Sequence, residues 1–281
     1  MNTLKSTLLI VLLSFCIASK AQNEPFEVKV MGEGQPILLF PGFTCTGDVW
    51  KETVEEISQN YQCHVFTFAG FGGLAPIEKP WLPKIKQGVI DYVSENKLID
   101  PIVVGHSLGG TLGLWLASEE NSLFAKIIVV DALPSTGALM IPNFKSENMV
   151  YDSPYNKQML AMEDDTFKQT ATQMASFMTL TEEKRPQLID WILQSDRETY
   201  VYGYTDLLKL DLREDISKIT SPVTILAATY PYGMEGAKQT YTMQYKNLKS
   251  YDIDYAEGSA HFIMYDRPEW FLNKIKEELS Q

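Results

Sequence analysis

Residues Pro101–Ser118 read PIVVGHSLGGTLGLWLAS. The apolar, β-branched run Ile102–Val104 stops at Gly105-His106-Ser107-Leu108-Gly109, and a helical pattern, Leu108–Ala117, begins at once. A G-x-S-x-G turn between a strand and a helix lifts the serine hydroxyl to an exposed, rigid corner. The backbone at such a corner is strained, and a bulky neighbour would strike the strand or the helix, which accounts for Gly105 and Gly109. The first N–H groups of the helix face the serine and suit a developing oxyanion. Ser107 is therefore a candidate nucleophile, provided that a base stands next to it. The alternative is a serine that only caps the helix, with the glycines as spacers.

Working outward, apolar runs bounded by turn residues recur at Phe26–Val30, Ile37–Phe40, His64–Phe68, Ile102–Val104, Ile127–Val130 and Val223–Ala227. Their Val, Ile and Phe content suits strands buried on both faces. Helical patterns lie between them at Val49–Gln59, Pro83–Glu95 and Leu108–Ala117, with a last one at Glu269–Leu279. Lys249–Ala256 alternates polar and apolar residues like a half-exposed edge strand. The alternation predicts an α/β fold: a mostly parallel central sheet with helices on both faces. Residues 132–221 break the rhythm with helical patterns alone, which predicts a helical cap inserted into a core made of 22–131 and 222–281.

The first 21 residues form a different unit. Lys5, an apolar stretch from Leu8 to Ala18, and small residues at Ser19 and Ala21 fit an export signal cut after Ala21. The apolar run is shorter than the roughly 20 residues that span a bilayer, so a soluble, exported mature chain without stable membrane association is expected. Loss of Lys5 and Lys20 takes the formal charge from −12 to −14. Such a chain repels phosphate backbones and anionic membrane surfaces, which excludes nucleic-acid binding. Cys45 follows one parallel strand and Cys63 opens the next, so the two should lie at opposite edges of the sheet, too far apart for a disulfide.

Several stretches together resemble the α/β-hydrolase family. GHSLGG is similar to its nucleophile turn, and ILLFPGFTCTGDVW to its oxyanion strand and loop. FTFAGFGG resembles the following strand and turn, SPVTILAA the penultimate strand, and GSAHFIMYDRPEWF the segment bearing the catalytic histidine. The resemblance implies His261 as the base. Of the other histidines, His64 should begin a strand at the far edge of the sheet, and His106 is locked beside the serine. The resemblance also implies backbone N–H donors at Leu108 and Phe43 for the oxyanion, although Pro41 stands where the family usually has histidine.

The acid is open at this stage. Most of the family draws it from just after the penultimate strand, where this chain reads ILAATYPYGMEG and offers only Glu235. A minority draws it from the preceding strand end, where Asp131 stands in IIVVDALP. An Asp here can also simply cap loop amides. Asp266-Arg267-Pro268-Glu269 reads as a capping box for the last helix.

A serine, a histidine and an acid perform acyl transfer to water without a cofactor, and no metal-ligand cluster is evident. A small-molecule carboxylic ester is the expected partner, with thioesters, lactones, amides and C–C bonds as other bond types. Methionines 140, 149, 159, 162, 174 and 178 and the phenylalanines Phe144, Phe167 and Phe177 in the insertion suit a small apolar pocket, or the cap's own core. The rival function is a ligand-binding or receptor protein of the same fold with little turnover.

Overall fold

A computed structural model describes residues 23–120 and 123–280; the expected leader lies outside them. Seven strands form one sheet: β1 (Phe26–Met31), β2 (Gln35–Phe40), β3 (Tyr61–Phe68), β4 (Ile102–His106), β5 (Lys126–Val130), β6 (Val223–Ala228) and β7 (Asp252–Ala256). Their order is β1-β3-β2-β4-β5-β6-β7, and every pairing is parallel except β1 with β3.

The helices are α1 (Lys51–Ile57), α2 (Trp81–Glu95), α3 (Leu108–Glu119), α4 (Thr136–Met140), α5 (Pro154–Leu160) and α6 (Asp164–Met178). They continue with α7 (Arg185–Gln194), α8 (Arg197–Lys209), α9 (Gly233–Gln244), α10 (Ile263–Asp266) and α11 (Pro268–Leu279).

Side chains alternate along the inner strands, so these strands feed two cores. Ile37, Leu39, Ile102, Val104 and Ile128 pack with Val54 and Ile57 of α1 and Phe271 and Ile275 of α11. Leu38, Phe40, Val103, Ile127 and Val129 pack with Val89 of α2, Leu112 of α3, and Tyr241 and Tyr245 of α9. Helices therefore cover both faces.

β1 differs from expectation. It is an exposed antiparallel edge rather than a buried strand, with Val30 half exposed. It also places β3 one position inside the sheet, so His64 lies within a paired strand, buried and bonded to Tyr92 Oη at 2.8 Å. Cys45 and Cys63 are both free and buried.

Helices α4–α8 fill the interval between β5 and β6, and α5–α8 share a core of their own, made of Met159, Phe167, Ala171, Ile192, Tyr200 and Val201. Asp206 of α8 ties this cap to the sheet layer. One carboxylate oxygen accepts from the Trp81 and Leu82 amides at the start of α2, at 2.7 and 3.0 Å, where a negative charge meets the positive end of the helix dipole.

Candidate active site

Strand register brings the site to one edge. Phe40 is paired with Gly105, Gly105 with Val129, and Val130 with Leu226, so β2, β4, β5 and β6 end side by side. The residues that follow these ends are Phe43, Ser107, Asp131 and the segment after Ala228.

Ser107 has φ 53° and ψ −119°, a conformation unfavourable to any residue with a Cβ. Its amide donates to Val130 O at 2.9 Å, which anchors the turn to β5. Its side chain makes no capping bond to α3, which removes the helix-cap explanation for the serine. Close packing also requires the glycines: a Cβ at Gly105 would meet Gly109 O at 2.3 Å, and one at Gly109 would meet Phe40 O at 2.3 Å. The loop after β2 passes directly over the turn, since a Cβ on Gly42 would lie 2.8 Å from His106 Nδ1 and 3.4 Å from Ser107 Cβ. Leu108 opens α3, so its N–H has no partner four residues back within the helix. Phe43 lines the same cavity as Ser107.

Asp131 follows β5 with φ 44°, a left-handed conformation that Asp tolerates better than most residues. Its amide extends the ladder to Leu226 O at 2.8 Å, and the turn swings the carboxylate along the sheet edge. Oδ2 receives His261 Nδ1 at 2.6 Å. Oδ1 receives Tyr241 Oη at 2.7 Å and the Ala228 amide at 2.8 Å. Burial alone would raise the Asp131 pKa. The bonds from His261, Tyr241 and Ala228 outweigh it and hold the carboxyl below its ordinary value. When Nδ1–H is donated to the carboxylate, the other ring nitrogen of the neutral imidazole is the acceptor.

The loop carrying His261 is pinned on three sides. Toward β6, Ser259 O accepts from Thr229 and Tyr230 N at 3.2 and 2.9 Å. Toward β4, His106 Nε2 donates to His261 O at 3.0 Å, with the two imidazole centroids 4.6 Å apart. Burial, and next the charge that His261 carries when protonated, push His106 down to about 3, so it stays neutral. Toward the cap, Phe262 N donates to Met178 O at 3.1 Å.

Asp266 completes that side. Its Oδ2 accepts from Ala260 N at 2.8 Å, while Oδ1 accepts from Thr179 Oγ1 at 2.7 Å, Leu180 N at 2.9 Å, and the Thr181 amide and hydroxyl at 3.1 and 3.0 Å. The expected capping box is therefore absent. Arg267 is the N-cap of α11 and makes no capping bond, because the aspartate beside it is occupied by the cap linker.

Glu235 also departs from expectation. The stretch read as a loop is helical from Gly233, and Glu235 sits in the first turn of α9 with its side chain 92% exposed beside Lys238. The structure brings Ser107, His261 and Asp131 into the wall of one cavity and leaves Glu235 out of it. Ser107 Oγ has no hydrogen-bond partner among the described residues; such contacts are often loose until a ligand fills the site.

The cavity measures about 720 Å3. Five of the six cap methionines named above line it; Met162 instead packs on the cap core. Of the phenylalanines, Phe167 is in that core and Phe177 is exposed. Among the described residues, Asp131 is the only acidic residue in the lining, and no lysine or arginine lines it. No group of three or more His, Cys, Asp or Glu residues among them is placed to hold a metal ion.

Fold and site define a class. The alpha/beta hydrolase family model matches residues 37–274, and the chain belongs to that family. A pimeloyl-acyl-carrier protein methyl ester esterase of Vibrio cholerae is 23% identical over 202 residues, which cover 69% of this chain and 75% of that protein. Among solved structures, the esterase EaEST from Exiguobacterium antarcticum superposes with a TM-score of 0.76 at 15% identity, covering 91% of this chain and 96% of its own. An enol-lactonase from Burkholderia xenovorans gives 0.74 at 14%, covering 91% and 96%. These structural likenesses concern the fold.

Proposed function

We propose that this protein is an exported serine hydrolase that cleaves carboxylic esters of small apolar acyl groups through an acyl-Ser107 intermediate. Ser107 Oγ attacks the carbonyl carbon as its proton passes to the free ring nitrogen of His261. Asp131 holds the imidazole by Nδ1–H and stabilises the imidazolium that forms. The Leu108 and Phe43 amides receive the oxyanion, each contributing about 2.7–4 kcal/mol by analogy with measured oxyanion-hole donors. The alcohol departs with the proton from His261. Water then repeats the sequence on the acyl-serine, releasing the acid and restoring Ser107.

The observation that carries this proposal is the strained serine, capping nothing, in one cavity wall with the bonded His261–Asp131 pair. The ester bond is what we take over from the relatives' substrate; the carrier protein is not, since the support lies inside the cavity. Export rests on the composition of residues 1–21 alone.

The test is hydrolysis of p-nitrophenyl esters of rising acyl length by the mature chain and by Ser107→Ala. Turnover should peak at short to medium acyl groups and fall at least about 10^4-fold in the variant. Turnover that survives in Ser107→Ala would assign the chemistry to other residues, and none on any ester would leave the binding-protein alternative.

A further inference from the structure

Several of the hydroxyl groups that line the cavity are committed to the fold. Thr111, Thr170 and Thr205 donate to main-chain carbonyls, Leu133 O, Thr166 O and Val201 O, at 3.0, 3.0 and 2.8 Å. Their hydrogen-bonding capacity is used by the fold. Tyr200 and Tyr204 differ: among the described residues, the Tyr200 hydroxyl hydrogen-bonds only to Met174 Sδ at 3.4 Å, and the Tyr204 hydroxyl only to Met140 Sδ at 3.2 Å, with the Tyr155 phenol close enough to interact with both. A thioether is a weak acceptor, so both phenols keep most of their donor strength in reserve.

These hydroxyls are also held in place. Tyr200 and Tyr204 stand one turn apart on α8, so they share a helix face. Both rings lean on Phe43, at centroid distances of 5.7 and 5.4 Å, and Tyr200 is held edge-on by Phe167 at 5.1 Å. They therefore adjoin the loop that carries the Phe43 amide. Met174 lies in the cavity wall beside the buried Tyr200, whereas Met140, beside Tyr204, is 55% exposed. Burial pushes both phenols up to about 12, so they remain protonated donors at any working pH.

We propose that Tyr200 and Tyr204 form a hydrogen-bonding subsite for a second, uncharged oxygen of the ligand, so that favoured esters carry a ketone, ester or ether oxygen besides the scissile group. Among the described residues the lining supplies no lysine or arginine to neutralise an anion, which disfavours a free carboxylate in this role. Flexible methionine side chains can turn aside at little cost when a better acceptor arrives. This inference rests on the cavity being the substrate site.

The experiment uses matched pairs of neutral esters. Methyl heptanoate is compared with its 4-, 5- and 6-oxo derivatives, and pentyl acetate with 2-ethoxyethyl acetate, so that oxygen is tried on both sides of the ester. Dissociation constants are measured on Ser107→Ala, and on the same variant carrying Tyr200→Phe and Tyr204→Phe. At least one oxygenated ester should bind about three- to tenfold more tightly than its match, and that ratio should fall to about one without the two hydroxyls. No preference at any position, or one that survives the two substitutions, overturns the subsite. Hydrolysis of the same esters by the unsubstituted chain is followed in parallel. Binding preference without turnover sinks the hydrolase and leaves the subsite standing, whereas turnover without preference does the reverse.

Discussion

β5 and β6 end side by side, yet they contribute different things. β5 ends in Asp131, bent into the left-handed region with a carboxylate on His261. β6 ends in Ala228-Thr229-Tyr230, without an acid, and gives the Ala228 amide to that same carboxylate. The family habit implied an acid after the penultimate strand; here that strand supplies a hydrogen-bond donor instead. The helix that follows β6 adds Tyr241 to the same oxygen. The carboxylate bonded to His261 thus stands one strand over, and the usual position supplies an amide to it.

The largest effect should break this contrast outright. Asp131→Asn should lower kcat about 10^4-fold, since the amide favours the wrong imidazole tautomer, while Glu235→Gln at the exposed start of α9 should stay within about twofold. Steady-state kinetics decides, and equal losses would erase the distinction between the two strand ends.

Asp266→Asn tests the loop that brings His261 to Asp131. An amide has a single acceptor oxygen and cannot serve both Ala260 and the Thr179–Thr181 linker. Denaturant titration should register a loss of about 2 kcal/mol, with kcat reduced as well. An unchanged midpoint would show that the β6-side bonds suffice.

Tyr241→Phe isolates the helix behind β6. Loss of one charge-assisted bond should reduce kcat about tenfold, with KM nearly unchanged. It should also raise the Asp131 pKa toward its ordinary value of 3.8, making the chain lose stability at a higher pH on acidification. The sign follows from linkage: a depressed carboxyl contributes fully above its unfolded value, and that contribution disappears as pH falls through the folded one.

The last effect belongs to β4. His106 is held neutral, well below its ordinary 6.5, so the unfolded chain binds the extra proton. Stability should therefore be full above about pH 6.5 and decline as pH falls, by at most about 1.4 kcal/mol per pH unit for this group. Urea midpoints at pH 7 and 5 read it, and a flat profile would contradict the buried neutral state.

Sequence made the strand–turn–helix around Ser107 legible because G-x-S-x-G between a strand and a helix leaves few conformations open. EGSAHF after the last strand did the same for the placement of His261. Asp131 was visible only as one of two candidates, since choosing between them requires knowing which strands are neighbours and where each carboxylate turns. Tyr241 carried a signal that went unread: Ala237, Tyr241, Tyr245 and Leu248 repeat at helical spacing and form the inner face of α9 and the turn after it. Asp266 was misread because a local motif looked complete, although a partner 85 residues away in sequence takes the side chain. β1 showed a strand's composition without revealing that it is an edge.

The Asp266 linkage has a consequence for anyone who wishes to exchange caps between members of this fold. Cutting at residues 132 and 221 would look clean along the chain. It would still sever Thr179 and Thr181 from Asp266, and Met178 O from Phe262 N, on the C-terminal side of the cut. The transplantable unit is discontinuous: the cap together with Ala260–Asp266. A graft that brings its own histidine loop keeps those bonds intact, and one that leaves it behind inherits a histidine whose moorings were made for another set of helices.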